Sequence, residues 1–168
     1  MLDDVAFMKE ALKEAQEAFQ AGEVPIGAVL VDAEGTVVAR AHNMREIWHD
    51  GTAHAEIIAL QKAARKLGRW RLSGLTLYVT IEPCPMCAGA LVMSRVDRVV
   101  YGATDAKAGA CESLFNIVRH PALNHQLEMR AGVMEDECRA IMKRFFGQRR
   151  KKSSALKNRA NQAFDAPE

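Results

Sequence analysis

Two short groups of residues in this sequence have the types and spacing of metal ligands. The first is His54-Ala55-Glu56, and the second is Pro83-Cys84-Pro85-Met86-Cys87. Two thiolates and one imidazole are donors that Zn²⁺ prefers, and three protein ligands leave a fourth coordination position open for water. Water bound in this way ionises near neutral pH, which is typical of a catalytic rather than a structural zinc. We therefore predict a catalytic zinc site held by His54, Cys84 and Cys87.

Glu56 lies two residues after His54 and is the candidate for moving protons at this site. A carboxylate beside activated water can act first as a base and then as an acid. Direct bonding of Glu56 to the metal is the weaker interpretation. Both groups stand where helices are predicted to begin, and the partial positive charge of a helix N-terminus stabilises the thiolates of Cys84 and Cys87.

The cysteine pair taken alone has two other interpretations. A Cys-x-x-Cys pair can be a redox centre, but such a pair is expected near a first βα turn and needs no His-x-Glu upstream. A structural zinc site needs a second pair of ligands. Cys111 and Cys138 are isolated from each other in the sequence, so we predict that both are core residues.

The spacing of apolar residues predicts helices alternating with strands. We expect helices over residues 4–21, 54–67, 88–92 and 135–146, and strands over residues 25–31, 36–41, 76–81, 98–102 and 126–131. The turn composition of residues 32–35 predicts that the first two strands form a hairpin. This order favours an α/β fold, namely a three-layer α/β/α sandwich with a mixed central sheet and helices on both faces.

The composition is typical of a single soluble domain. Of 168 residues, 49% are hydrophobic and 26% are charged. No apolar run is long enough to span a bilayer, and the acidic start Met1-Leu2-Asp3-Asp4 is unlike a secretory signal. Four unevenly spaced cysteines do not make a secreted disulfide framework. We expect a cytoplasmic protein without membrane association.

Charge is distributed unevenly along the chain, although the net charge is only +2. Residues 1–138 carry 14 basic and 19 acidic side chains, whereas residues 139–159 carry nine basic side chains and no acidic one. Clustered Lys and Arg attract phosphates through counterion release, so this segment indicates a polyanionic partner, and a solvated helix end explains it equally well. We divide the chain into a catalytic domain over residues 1–150 and a polar, basic tail over residues 151–168.

The two ligand groups together resemble the signature of zinc-dependent nucleobase deaminases, His-x-Glu followed by Pro-Cys-x-x-Cys. The sequence is more closely similar to bacterial tRNA-specific adenosine deaminases, from the first helix through about Arg150. The zinc motif is shared among deaminases. The more discriminating segments are Asp105-Ala106-Lys107 and the ending Phe145-Phe146 with Arg149-Arg150.

This resemblance implies a cytidine deaminase-like fold and conversion of adenosine to inosine at the wobble position of a tRNA anticodon. One Zn²⁺ per subunit and a catalytic water would be held by His54, Cys84 and Cys87. Zinc-bound hydroxide would attack C6 of adenine. Glu56 would be the proton shuttle, which protonates N1 and later the departing ammonia.

The resemblance also implies contacts with a tRNA anticodon stem-loop whose target base is extruded into a pocket. Asn43 would contact the base or ribose, although an Asn after a strand is commonly a turn residue. Asp105 and Lys107 would border the RNA entry, as would Phe145 and Arg149 from the last helix. Phe145 could equally be core, and Lys107 could be only a solvated charge.

The family resemblance further implies a homodimer, with both subunits contributing to the tRNA surface. The apolar residues around the third helix could form that interface or belong to the core; they are Met86, Leu91, Val92 and Met93. Glu82, beside Pro83, is interpreted as capping free N–H groups or supporting the site rather than as a catalyst.

Two other functions stay open on the sequence. The first is a zinc deaminase of a free base or nucleotide, such as guanine or cytosine, which would share the zinc motif but need no basic segment. The second is a noncatalytic RNA-binding module whose zinc only stabilises the fold. Added salt should weaken RNA binding steeply but hardly affect binding of a neutral base, which separates the first alternative from RNA deamination.

Overall fold

The computed structural model describes residues 1–164, with side chains described through residue 162. In chain order the elements are α1 (Asp4–Gln20), β1 (Gly27–Val31), β2 (Val37–His42), α2 (Ala55–Leu67), β3 (Thr76–Ile81), α3 (Pro85–Met93), β4 (Arg98–Ala103), β5 (Glu128–Arg130) and α4 (Glu135–Phe164). The strands lie in the order β2-β1-β3-β4-β5. Strand β1 runs antiparallel to β2 and β3, and β4 runs parallel to β3 and β5. The predicted mixed sheet is confirmed.

Helices cover both faces of the sheet, as predicted. On one face, α1 and α4 pack against a cluster that includes Val29, Tyr78 and Val100. On the other face, α2 and α3 pack against a cluster that includes Leu30 and Leu77. Successive residues of a strand point to opposite faces, so neighbours such as Val29 and Leu30 belong to different clusters. Because both faces are covered, β1 and β3 are buried along their whole length.

Close approach between α1 and the sheet explains a glycine at the start of β1. A Cβ at Gly27 would overlap the backbone carbonyl of Ala11 and the backbone nitrogen of Ala15 in α1. Helix α1 itself begins where the Asp3 carboxylate accepts a hydrogen bond from the Ala6 N–H, at 3.1 Å. Cys111 and Cys138 are fully buried and unpaired, which confirms their prediction as core residues.

The carboxyl ends of three strands and the starts of two helices lie at one edge of the sheet. Since β2 and β3 are both antiparallel to β1, they are parallel to each other, and the carboxyl ends of β2, β3 and β4 lie at this edge. Helices α2 and α3 begin near it, α2 after the loop over residues 43–54 and α3 after the short connection over residues 82–84. In open α/β sheets this is the edge where ligands bind.

Helix α4 is longer than the predicted residues 135–146, because it continues to Phe164. Its first half packs on β4, whereas residues 148–162 are exposed on all sides. The predicted domain boundary between residues 150 and 151 falls inside this helix. A separate role for residues 151–168 stays a prediction. Residues 165–168 lie outside the described part of the chain. Within residues 1–164, no helix combines the length and apolar character needed to cross a membrane.

Candidate active site and metal centre

The structure brings His54, Cys84 and Cys87 together at the sheet edge. The Nδ1 atom of His54 lies 3.6 Å from the Cys84 sulfur and 3.5 Å from the Cys87 sulfur. The three donor atoms all lie within 4.8 Å of one another. Among the residues described, this is the cluster of His, Cys, Asp and Glu side chains that could hold a metal ion.

Helix N-termini position all three donors. His54 is the N-cap residue of α2, and Cys84 is the N-cap residue of α3, which begins with Pro85. Proline is favoured at a first helical position because its fixed φ suits the helix and no N–H is lost there. Cys87 follows in the first turn, so its sulfur returns to the same side as Cys84. The positive ends of the two helix dipoles thus converge on sulfur atoms that bind metals as anions.

Hydrogen bonds within the cluster shift the pKa values of its members. A hydrogen bond from the Cys87 thiol, helped by His54, lowers the pKa of Cys84 to about 4. The same bond, together with burial, raises the pKa of Cys87. The hydrogen bond with Cys84 raises the pKa of His54. A divalent cation bound there would displace the protons of this cluster, because metals bind the deprotonated forms of cysteine and histidine.

Glu56 lies in the first turn of α2 and is 4% exposed. Burial raises the pKa of its carboxyl group, which favours the protonated form. Its carboxylate is not one of the three clustered donors, but it lines the same cavity as His54. A carboxyl group that lies beside the metal donors without being one of them is placed to exchange protons with a substrate. Its catalytic role stays a prediction.

A cavity of about 240 Å³ opens beside the donor cluster. At roughly 30 Å³ per water molecule in the liquid, this volume corresponds to about eight waters, which is room for one nucleobase-sized molecule. Its wall combines polar groups with apolar side chains from both ends of the chain; the lining residues are Val24, Ile26, Asn43, Arg45, His54, Ala55, Glu56, Asp105, Met142 and Phe146.

Three of the predicted substrate contacts lie at or beside this cavity. Asn43 is in its wall, where its side-chain amide donates to the Val24 carbonyl at 3.3 Å and its oxygen accepts from the Arg45 N–H at 3.1 Å. Asp105 is also in the wall, and its carboxylate accepts from the Lys107 N–H at 3.0 Å. Lys107 lines an adjoining cavity that shares Asp105 with the first. Their contacts with a substrate stay predictions.

The structure places Phe145 and Arg149 away from the cavity wall. Phe145 is 5% exposed, and its ring packs 5.7 Å from that of Phe19 in α1. The Arg149 guanidinium lies 5.3 Å above the Phe145 ring on the exposed side of α4. Phe146 and Met142 line the cavity instead. Their spacing of four residues places them on one helix face, which was the available signal for this pair.

A buried carboxylate from Glu23 holds the loop that carries Arg45 into the cavity wall. Glu23 is fully buried, and it accepts hydrogen bonds from the N–H groups of Ile47 at 2.6 Å and Glu46 at 3.2 Å. Sequence reasoning assigned no role to Glu23 or Arg45. Nothing in local spacing connects Glu23 with a loop more than 20 residues away.

Comparison with known proteins identifies the family. A family model of MafB19-like deaminases matches residues 2–150. The tRNA-specific adenosine deaminase of Bacillus subtilis (strain 168) is 52% identical over 159 residues, which cover 94% of this chain and 98% of the relative. This chain belongs to the tRNA-specific adenosine deaminase family. The sequence-based recognition is confirmed.

Solved structures agree with membership of the tRNA-specific adenosine deaminase family. A structure from a study of A-to-I editing by tRNA:A34 deaminases at the wobble position of transfer RNA is 46% identical, with a TM-score of 0.78 over 81% of this chain and 98% of that chain. The guanine deaminase from Bacillus subtilis is 34% identical, with a TM-score of 0.59 over 76% of this chain and 83% of that chain. The cytidine deaminase-like α/β fold is therefore confirmed.

Proposed function

We propose that this chain hydrolyses adenosine to inosine at the wobble position of a tRNA anticodon. The observation that carries the proposal is that one base-sized cavity contains both the metal-donor histidine and the buried Glu56. The 52% identity with a tRNA-specific adenosine deaminase supports adenosine in tRNA as the substrate.

We infer that the metal is zinc, one ion for each chain, held by His54, Cys84 and Cys87. Zinc bonds of about 2.3 Å to sulfur and about 2.0 Å to nitrogen, at a tetrahedral angle, put the two donor atoms roughly 3.5 Å apart. The observed separations of 3.6 Å and 3.5 Å between the His54 nitrogen and the two sulfurs fit this requirement. Zinc bound there supplies the Lewis acidity that lowers the pKa of water to about 7.

Glu56 manages the protons of the proposed reaction. The oxygen of one water molecule bonds to C6 of adenine, the C6–N6 bond breaks, and N6 leaves as ammonia. Glu56 accepts one proton from the water and delivers it to N1. It then takes the second proton from the oxygen now bonded to C6 and delivers it to N6, which departs as neutral ammonia. Because Glu56 is buried, these transfers occur away from bulk water, which would otherwise exchange the protons.

The remaining wall of the cavity orients the base. Apolar side chains of Val24, Ile26 and Phe146 contact the ring, and Asn43 has one amide hydrogen left for the base or ribose after its bond to Val24. Asp105 borders the entry through which the nucleotide passes. A base can reach such a pocket only when it is extruded from the RNA, as loop nucleotides readily are.

The basic half of α4 supports RNA as the partner. Arg149, Arg150, Lys151 and Lys152 are exposed where the helix leaves the body of the protein. Clustered exposed cations attract the phosphates of an RNA stem. Because tRNA is used in the cytoplasm, we infer that the enzyme acts there.

We also infer that the protein is a homodimer, which forms through the outer face of α3. This helix is apolar on all sides, a composition typical of a helix that is covered on all sides. Leu91 and Val92 are buried within the chain and belong to its core, whereas Met86 and Met93 are exposed.

Met93→Glu is expected to convert a dimer into monomers, measured by light scattering. A wild-type monomer at micromolar concentration would contradict the dimer.

The test of the main proposal uses zinc-loaded protein and two anticodon stem-loops, one with adenosine and one with cytidine at the wobble position. We expect inosine and ammonia from the first RNA only. Glu56→Gln is the matched variant; it should retain zinc and RNA binding but form no inosine. Loss of zinc from this variant would contradict the assignment of Glu56 as a residue that does not bind the metal.

The second candidate function is deamination of a free base, which is favoured by the similarity to a guanine deaminase. Ammonia from guanine, with no product from either RNA, would support it. RNA binding that is unchanged in Glu56→Gln, with no ammonia from any substrate, would instead support a noncatalytic RNA-binding module. Salt-dependent RNA binding together with inosine formation excludes both alternatives.

A further inference from the structure

A buried carboxylate beside the candidate metal centre accepts an unusual number of hydrogen bonds from one loop. Glu82 is 3% exposed and directly follows β3. Its Oε2 atom accepts from the N–H groups of Cys111 at 3.1 Å, Glu112 at 3.0 Å and Ser113 at 3.0 Å. Its Oε1 atom accepts from the Asp105 N–H at 3.1 Å and from the Ser113 hydroxyl. The carboxylate thus joins both ends of the loop over residues 105–113.

The same loop packs directly on the turn that leads to the cysteine donors. The Ala110 N–H donates to the Pro83 carbonyl at 2.8 Å. The Gly109 N–H donates to the Asp105 carbonyl at 2.8 Å, which turns the loop towards Glu82. A Cβ at Gly109 would overlap the Glu82 carboxylate, so only glycine allows this approach.

The loop contributes Asp105 to the cavity wall, so its position bears on substrate binding. The Asp105 carboxylate accepts from the N–H groups of Lys107 and Ala108, a local turn that does not by itself fix the loop to the body of the protein. Apart from the hydrogen bond that the Tyr101 hydroxyl donates to the Glu112 side chain, the hydrogen bonds that link the loop to the body run through Glu82 and Pro83. Backbone N–H groups that lose a buried carboxylate partner are left without acceptors, which would favour another loop conformation.

We propose that Glu82 is a positioning residue that anchors the loop over residues 105–113 and so holds Asp105 at the cavity entry. This inference rests on the proposed function, since it assigns Glu82 a role in binding the same RNA substrate. Glu82 does not touch the substrate or the donor atoms. Its carboxylate acts through the loop, and it leaves the metal and proton chemistry to His54, Cys84, Cys87 and Glu56.

The test compares Glu82→Gln with Glu112→Gln in the zinc-loaded full chain. In Glu82→Gln, the amide NH2 would replace one carboxylate oxygen and place a donor opposite loop N–H groups, which cannot accept. In Glu112→Gln, the amide oxygen can still accept the hydrogen bond from the Tyr101 hydroxyl. For Glu82→Gln we expect unchanged zinc content, faster hydrogen exchange at the Cys111 and Glu112 amides, and a KM for the adenosine stem-loop raised at least about tenfold, with a smaller change in kcat. Glu112→Gln should resemble wild type.

Ser113→Ala and Gly109→Ala keep the inference testable if Glu82→Gln fails to fold. Ser113→Ala removes one of the five hydrogen bonds to Glu82, so it should show a smaller change of the same kind. Gly109→Ala should speed exchange across the loop by forcing it away from Glu82. Wild-type exchange and KM in the Glu82 variant would overturn the inference, as would loss of zinc.

The exchange measurement requires no RNA, so it separates this inference from the proposed function. If wild type forms no inosine, the proposed function fails. Loop anchoring by Glu82 would still be supported by faster exchange in Glu82→Gln and overturned by unchanged exchange.

Discussion

Adjacent phenylalanines in α4 have different surroundings, and their substitution should have different effects. Phe145 is buried against Phe19, whereas Phe146 is 38% exposed and lines the cavity. Phe145→Ala should lower the free energy of unfolding by about 3 kcal/mol, because it leaves a space in the core. Phe146→Ala should instead raise the KM for the adenosine stem-loop with little loss of stability. Urea unfolding and initial rates measure the two effects.

Each phenylalanine variant serves as the control for the other, since both remove the same ring from the same turn of the helix. Zinc content should be equal in the two variants. A large rise in KM for Phe145→Ala at full stability would show that Phe145 contacts RNA, as its family resemblance implies. Such a result would contradict the division of roles assigned to this pair.

Residue spacing predicted that His54, Cys84 and Cys87 come together but could not distinguish the two phenylalanines. His54 and Cys84 stand at helix starts that the sequence indicates through local composition, and Cys87 follows from its three-residue spacing. Neighbouring residues of a helix point about 100° apart. Which of Phe145 and Phe146 faces the cavity therefore depends on how α4 packs against α1 and β4.

The elements were predictable wherever they are packed. Apolar spacing placed α1 and α2 within one residue of their observed bounds, because a buried stripe leaves a periodic pattern. Strand β3 was predictable because a strand covered on both faces is a continuous apolar run. The exposed end of α4 has no such stripe, so the prediction ended that helix too early. The conformation of the loop over residues 105–113 also could not be predicted, since it depends on the distant acceptor Glu82.

The exposed end of α4 should bind the RNA stem rather than the loop that carries the target base. Residues 148–164 extend roughly 25 Å at 1.5 Å per residue. Changing Lys151, Lys152, Lys157 and Arg159 to Gln should weaken binding of a stem-loop and flatten its dependence on salt, by about one unit of slope for each phosphate that is no longer neutralised. Deamination of an isolated single-stranded loop should change little. Fluorescence anisotropy at several salt concentrations measures the slope.

A variant with altered charge elsewhere controls for nonspecific attraction in the α4 experiment. Arg65 and Lys66 are exposed in the last turn of α2, at the opposite end of that helix from His54. Changing both to Gln should leave the salt slope unaltered. The matched α4 variant changes only Lys151 and Lys152 to Gln, so that both variants lose two positive charges. An unchanged slope in the α4 variants would mean that this half of the helix is only solvated.

At the scale of the whole molecule, one buried carboxylate joins the first helix to three strands. Asp4 of α1 accepts hydrogen bonds from the Tyr78 hydroxyl at 2.8 Å, from Arg98 at 2.8 Å and 2.9 Å, and from Arg130 at 2.5 Å. Arg98 begins β4, so the cluster lies at the opposite sheet edge from the candidate active site. Burial alone would raise the pKa of Asp4, but these hydrogen bonds lower it from 3.8 to about 2.

This cluster should make folding stability depend on acid pH. A carboxyl group whose pKa is lowered on folding stabilises the fold above its unfolded pKa, and the contribution disappears as pH falls through the folded pKa. The free energy of unfolding of wild type should therefore exceed that of Asp4→Asn by a pH-dependent part of about 2 kcal/mol at neutral pH. This part should disappear between about pH 4 and pH 2. Urea unfolding across that range measures it. Glu34→Gln, on the exposed turn between β1 and β2, controls for loss of a negative charge and should show no such change.

Asp4→Asn should retain deamination at neutral pH because the cluster and the active site occupy opposite edges of the sheet. A gap between wild type and Asp4→Asn that stays constant down to pH 2 would contradict the lowered pKa, and lost activity in a folded variant would mean that the two edges are coupled.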